Sequence, residues 1–303
     1  MRPQAVGVAC VLGATACWGV GTVLSKQALD RGLAPLTLLA VELVASSVLL
    51  GTFASVRRVR GEVAERPDRR LVLLGLLNPG LAYLLGLLGL LTVSASLSVL
   101  LWATEPVLIL LLAVAWLGER LTPVTTTATL VAVLGAVLVV LRPGATGDAR
   151  GIALSVAAVT ACACYTVLTR RLLLDDGTVG VVLSQQVAAL ALVVVVLGVT
   201  AAAGIGTGGT VEPSAWGFAV ASGVVYYGLA FTAYVAGLRR LPAEVAGSLL
   251  PAIPVFGLAA AHLTGDRLSP VQWVGVALVV AGTTTAAVWH LRATPEAAAA
   301  PAA

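Results

Sequence analysis

A chain of 303 residues that is 59% hydrophobic and only 11% charged, with a mean hydropathy of +1.02, lies outside the composition of soluble globular domains and belongs in lipid. Its net charge of +4 comes largely from arginines beside apolar runs, the usual marking of cytoplasmic loops, so no nucleic-acid partner is expected. Cys10, Cys17, Cys162 and Cys164 lie inside apolar runs without CxxC spacing or a neighbouring histidine, which supports neither a metal site nor a disulfide framework; no cofactor is expected.

A membrane-crossing helix needs about 20 apolar residues. In chain order, ten such segments are predicted, at 4–24, 35–55, 71–91, 96–117, 124–141, 151–169, 178–201, 215–237, 244–263 and 271–290. The fold class is therefore an all-α integral membrane protein with the lipid bilayer as its surroundings and no room for a separate soluble domain. The connections are short. The longest is the Arg-rich 56–70, Gly204 to Pro213 forms a glycine-rich polar linker, and Thr294 to Ala303 reads as a disordered tail.

Basic residues set the orientation. With the N-terminus in the cytoplasm, the inner segments carry 13 of the 18 Lys and Arg residues, among them Arg57, Arg58, Arg60, Arg66, Arg69 and Arg70, and the outer ones carry Lys26, Arg31, Arg142, Arg150 and Arg267. The expected location is the inner membrane of a bacterial cell, with both termini cytoplasmic.

Sliding the second half of the chain along the first exposes an internal repeat. Gly80-Leu81-Ala82-Tyr83 matches Gly228-Leu229-Ala230-Phe231, and at the same offset Pro106 matches Pro254. One residue closer, Gly118-Glu119-Arg120-Leu121-Thr122-Pro123 matches Gly265-Asp266-Arg267-Leu268-Ser269-Pro270, and earlier Thr15-Ala16-Cys17 matches Thr160-Ala161-Cys162. Each half carries five spans, and an odd number makes the second copy enter the membrane upside down. The reading is ten transmembrane helices as two inverted five-helix repeats, 1–145 and 146–292, followed by the tail 293–303; secondary transporters often have this architecture.

Trp18-Gly19 with Lys26 further on, the run Thr104-Glu105-Pro106-Val107, and Leu117-Gly118-Glu119-Arg120-Leu121-Thr122 resemble the repeat motifs of EamA-type transporters in the drug/metabolite transporter superfamily. The resemblance covers residues 5 to 290 and implies movement of amino acids, metabolites or drugs. The family commonly has an arginine in the second helix, where this chain has Glu42. A substrate rule built on that arginine does not carry over.

An ionisable group deep in a membrane helix is expensive and usually faces a cavity, a partner or a proton path. Only Glu42 and Glu105 among the 14 acidic residues lie well inside predicted spans. Glu42 is the first candidate for a substrate-binding carboxyl and is matched in the repeat with Gln186; Glu105 precedes the helix-bending Pro106. The alternative for each is a carboxyl hydrogen-bonded in a helix interface. Asn78-Pro79, Pro106, Pro251 and Pro254 break helices near mid-membrane, where a binding site or hinge is expected. Asn78 matches Tyr226 and Pro79 matches Tyr227. Tyr83, Tyr226, Tyr227, Phe231 and Tyr234 could supply an aromatic wall, with ordinary helix packing as the alternative, and Trp18 and Trp102 line the outer part of a path. Trp116, Trp216, Trp273 and Trp289 lie near span ends and read as interfacial anchors. His262 is expected to form a surface pair with Asp266, and Glu244 to cap its own helix.

These features favour a secondary-active transporter of small organic solutes, an exporter working by alternating access, with a small-molecule substrate and protons as partners and a monomer as the functional unit. A membrane-embedded lipid-modifying enzyme is disfavoured because no Ser/His/Asp, HExxH or paired-acid constellation lies in the bilayer. A scaffold or sensor subunit is disfavoured because no domain lies outside it. No Walker motif is present, so no ATP-driven step is expected, and no enzymatic activity is assigned.

Overall fold

The computed structural model describes residues 2–60, 67–89, 91–93, 95–140, 146–173, 177–203, 210–263 and 269–297. Ten apolar helices account for most of them: α1 (Pro3–Asp30), α2 (Pro35–Val59), α3 (Arg69–Gly89), α4 (Leu100–Leu117), α5 (Pro123–Val140), α6 (Ala149–Leu172), α7 (Thr178–Ala202), α8 (Pro213–Leu238), α9 (Ala243–Ala260) and α10 (Pro270–Arg292). Among the described residues there is no strand, only a lone bridge between Val93 and Gly147. Proline opens α1, α2, α5, α8 and α10, where its missing N–H would have had no intrahelical partner. Side chains such as Val48, Leu134, Val195, Val199 and Trp273 point outward and are exposed, a surface that suits hydrocarbon rather than water.

Two helix ends depart from the hydropathy pattern. α1 continues beyond its apolar core to Asp30 because the final turn is carried by an exposed Lys26–Asp30 pair at 2.8 Å, whose spacing favours the helix. The last helix runs on to Ala297, so the first part of the expected tail is helical, and residues 298–303 lie outside the described residues. So do residues 204–209 of the glycine-rich linker, 61–66 of the Arg-rich connection, Asp266 and the side chain of His262.

Small residues let the helices approach closely. A Cβ placed on Gly135 of α5 would lie 2.6 Å from the Gly275 carbonyl of α10, and one on Gly275 would lie 2.7 Å from the Gly135 carbonyl. Gly237 of α8 sits over the Gly7 carbonyl of α1, while Gly89 of α3 sits over the Gly151 carbonyl of α6. Gly223 of α8 lies on the backbone of Glu42 in α2, and Gly75 of α3 lies on the backbone of Gln185 in α7. Each contact recurs with the halves exchanged, as an inverted pair of five-helix repeats requires. This packing also corrects the register: the repeat-mate of Glu42 is Gln185, not Gln186. The offset relating α1 to α6 shrinks by one residue in the loop before α2 and α7, helices of equal length.

Regular helix gives way at mid-membrane. In α3 the ladder is broken at Asn78 (φ −146°, ψ 123°), and the Asn78–Pro79 peptide is cis. The repeat-equivalent stretch of α8, Gly223–Leu229, is a wide π-type turn. The fourth span divides into α4a (Ala95–Trp102) and α4b (Glu105–Leu112). The ninth divides into α9a (Ala243–Leu249) and α9b (Ile253–Leu263) around Pro251.

On the side of the termini, α9a is buried along its whole length and packs on α4b, with Gly247 so close to Ile109 that a Cβ there would lie 2.8 Å from Cγ2. Its N-terminus is capped from across the repeat. The Glu119 carboxylate accepts the Ala243 N–H at 2.9 Å and the Glu244 N–H at 3.0 Å. Glu244 therefore does not cap its own helix, as its position suggested; its Oε2 is buried without a partner. On the opposite side, α4a and α9b occupy the repeat-equivalent places, but among the described residues they are not joined by comparable packing, and most of α9b is only partly buried.

Candidate substrate site

Glu42 is brought into the protein by the Gly223 contact, which lets α8 lie directly on the α2 backbone. The residue is 3% exposed, and Ser25 of α1 donates to its Oε1 at 2.6 Å. The Ser25 and Ser222 hydroxyls are 2.7 Å apart, and Ser222 also donates to the Gly21 carbonyl at 3.3 Å. The Ser222 and Tyr227 hydroxyls reach the same carboxyl. Three hydroxyl groups from α1 and α8 thus replace the water that a buried carboxyl would otherwise lack.

An aromatic cluster continues from this carboxyl across the repeat boundary. Tyr226 and Tyr227 are 4.9 Å apart by centroid, and Tyr227 stacks on Phe231 at 5.9 Å. Trp18 meets Phe231 edge-on at 5.5 Å and Tyr234 at 5.1 Å, with Tyr226 at 6.5 Å. From the first repeat, Tyr83 lies 6.0 Å from Tyr226 and from Trp102 and donates a hydrogen bond to the Tyr226 hydroxyl at 2.8 Å. These separations fall in the attractive range for offset and edge-to-face rings.

Glu105 closes the far end. It opens α4b immediately after the break in the fourth span, and among the described residues no hydrogen bond or ion pair reaches its carboxyl. It is half-buried and acts electrostatically on Cys162, Tyr226 and Tyr234. Tyr226 also feels Glu42, so both acids act on this one side chain. Among the described residues no Lys, Arg or His acts on either carboxyl.

Glu42, Trp18, Tyr83, Trp102, Tyr226, Tyr227 and Phe231 thus form one continuous constellation, and Glu105 acts on it electrostatically through Tyr226. Gln186 joins it through the backbone, donating to the Tyr227 carbonyl at 3.2 Å in the wide turn of α8. Asn78 is buried with Oδ1 unpartnered and makes no contact with the cluster that the structure records. Gln185 instead accepts from the Tyr165 hydroxyl of its own repeat at 2.9 Å and donates to the first repeat's backbone at the Leu71 carbonyl, 3.0 Å. Ser25 and Ser222 were missed by sequence reasoning. Their spacing held a signal, because Ser25 lies seven residues, two turns, from Trp18, and Ser222 lies four before Tyr226. Two grooves lie elsewhere, on outward faces: one of about 630 Å³ along Val48–Arg60 of α2 and one of about 520 Å³ between α5 and α10. Neither is near these groups. Among the described residues no cluster of His, Cys, Asp and Glu could hold a metal ion. Trp116, Trp216, Trp273 and Trp289 are all exposed near span ends.

The sequence model of the EamA-like transporter family matches residues 5–141 and again 149–287, the two repeats that the packing defines. The chain belongs to the EamA-like transporter family. As an EamA-like protein it falls within the drug/metabolite transporter superfamily, whose members are transporters rather than enzymes. No curated protein matches it. Among solved structures 28 chains match. One of them, described only as the crystal structure of a protein, superposes with a TM-score of 0.80 at 21% identity, covering 97% of the EamA-like chain and 98% of its own. That likeness speaks to the fold alone.

Proposed function

We propose that the protein is a secondary-active exporter of small organic solutes, working by alternating access around the constellation between Glu42 and Glu105. The observation that carries this reading is the contrast between the two sides of the membrane. α9a is packed and capped against α4b beside the termini, whereas the repeat-equivalent α4a and α9b lack such packing, and the half-buried Tyr83, Trp102, Tyr226 and Glu105 lie between. A site made by both repeats at the level of broken helices, closed toward one side, is what a rocking transporter needs. Cargo enters or leaves past α4a and α9b in this state, and the opposite state packs that pair while releasing α9a.

The distribution of positive residues supports termini on the cytoplasmic side of a bacterial inner membrane. Labelling intact cells with a membrane-impermeant maleimide tests this: Gly208→Cys should react from outside and Gly61→Cys should not. The transport reading is tested in proteoliposomes, where protein-dependent exchange of a labelled organic solute is the expected result. Glu42→Gln keeps shape and removes charge, and should alter the rate or pH profile of that exchange while leaving insertion intact. A protein that moves no solute in such vesicles would remove the reading.

A further inference from the structure

One outward face of the bundle combines a hollow with a cluster of charge. Val48, Gly51, Thr52, Ser55, Val59 and Arg60 follow one another along α2 in steps that keep them on one stripe of the helix, and the stripe is hollowed into the groove of about 630 Å³. Gly51 makes the notch: a Cβ there would meet nothing within 4 Å. From Val48 to Arg60 is about 18 Å along the helix axis, close to half of the ~30 Å hydrocarbon core. The groove therefore runs the depth of one leaflet, from mid-membrane to the headgroups beside the termini.

Arginines stand at its headgroup end. Arg57 and Arg58 lie in the last turn of α2 and Arg60 follows them. The Arg57 guanidinium lies 6.0 Å from the centroid of the Phe53 ring, which is itself exposed. Among the described residues the ion pairs are Lys26–Asp30 and Arg31–Glu212. Both lie at the other end of α1, and neither involves Arg58 or Arg60. The repeat-mate of α2 supplies the contrast: α7 turns Val195 and Val199 outward just as openly, but its last turn carries no basic residue.

Lipid tails are as apolar as the groove, so seating one there gains little by itself. Selectivity has to come from the headgroup. Each Lys or Arg near the surface adds attraction for an anionic lipid, and a guanidinium matches a phosphate in shape as well as in charge. A second copy of the chain fits less well, because a two-fold contact through α2 would set arginine against arginine. We propose that this groove is a binding site for an anionic phospholipid of the leaflet beside the termini, with one acyl chain lying along Val48–Val59 past Gly51 and the phosphate held by Arg58 and Arg60. The bound lipid then rests on the helix that carries Glu42.

The test uses the full-length protein with a bimane at Ala54→Cys, beside the groove, in a background without the native cysteines and in bilayers of dioleoylphosphatidylcholine. Dibrominated phosphatidylglycerol or dibrominated phosphatidylcholine is titrated in as the quencher. A second label, at Gly198→Cys on the exposed face of α7, reports ordinary lipid contact. At Ala54 the anionic lipid should be favoured over the zwitterionic one at least about fivefold, and at Gly198 the two should quench alike. Arg58→Gln with Arg60→Gln should bring the ratio at Ala54 close to one. Gly51→Phe keeps every charge and meets no protein atom near its Cβ, and it should lower the ratio as well. Unchanged thermal unfolding establishes that each variant is folded, and Gly51→Leu serves if the phenylalanine is not tolerated. A wild-type ratio in the filled groove means that the arginines attract anionic headgroups without a seat for the chain, and it overturns the site. A ratio near one in the unmodified groove, or an equal preference at Gly198, does the same. Shielding of the Ala54 label from both lipids shows that a second chain covers this face, and it too overturns the proposal.

Discussion

α9a and α4a are repeat-mates, yet one is buried along its length and capped by Glu119 while the other is only partly covered. The same contrast separates their partners: α4b is pressed against Gly247, and α9b stands largely clear of α4a among the described residues. Two stretches with related sequences therefore occupy two environments in one molecule. What the packed pair looks like shows what the unpacked pair would become when the halves exchange roles, so the contacts that hold α9a are also those that must break.

The largest effect is expected from overfilling the packed side. Gly247→Leu drives a side chain into Ile109, a clash worth about 1–3 kcal/mol, enough to move a two-state equilibrium by roughly 5- to 150-fold. Ser248→Cys, fully buried at present, should then become reactive to a water-soluble maleimide from the side of the termini, in a background without the native cysteines. Unchanged reactivity would mean that this side does not open. A smaller effect follows from removing the cap. Glu119→Ala strips two backbone N–H groups of their acceptor and should weaken the packed side by about 1–2 kcal/mol, raising the same labelling rate; Glu119→Gln, which keeps one acceptor oxygen, should fall between. The smallest effect lies on the unpacked side, where Asp148 accepts from the Gly151 N–H and from the Thr92 hydroxyl, both at 2.7 Å. The Gly151 bond first, then that of Thr92, holds its carboxyl below the usual carboxylate range. A lowered value means stabilisation that is complete above about pH 4 and lost as pH falls through the lowered value. Asp148→Asn should thus lower the thermal midpoint slightly at pH 7 and not at pH 2. A difference that survives acid would assign the effect to packing instead.

The ten spans were legible because a 20-residue apolar window is a strong signal, and the inverted arrangement followed from counting five spans per repeat. The site was legible in its membership. Glu42 and Glu105 stood out as charges inside apolar runs, and the aromatic residues fell at matching places in the two halves. Three things were not legible. The mate of Glu42 was misassigned to Gln186 because the alignment crosses a loop whose length differs between repeats and in which the two halves share no recognisable landmark. The cap of α9 was assigned to Glu244 because sequence shows only near neighbours, whereas the acceptor, Glu119, lies over a hundred residues away. The wide turn at Gly223–Leu229 contains no proline, so nothing in that stretch announced that its backbone would open beside Glu42 as Pro79 announces the break in α3.

Two identical halves would make the states open to either side equivalent by a two-fold rotation, with equal free energies and an equilibrium constant of one. Glu42, matched in the other half by Gln185, breaks that degeneracy with an ionisable group on one side of the axis only. Any preference of the empty protein for one side must come from such mismatched mates, and swapping them, Glu42→Gln with Gln185→Glu, should transfer the bias rather than abolish it.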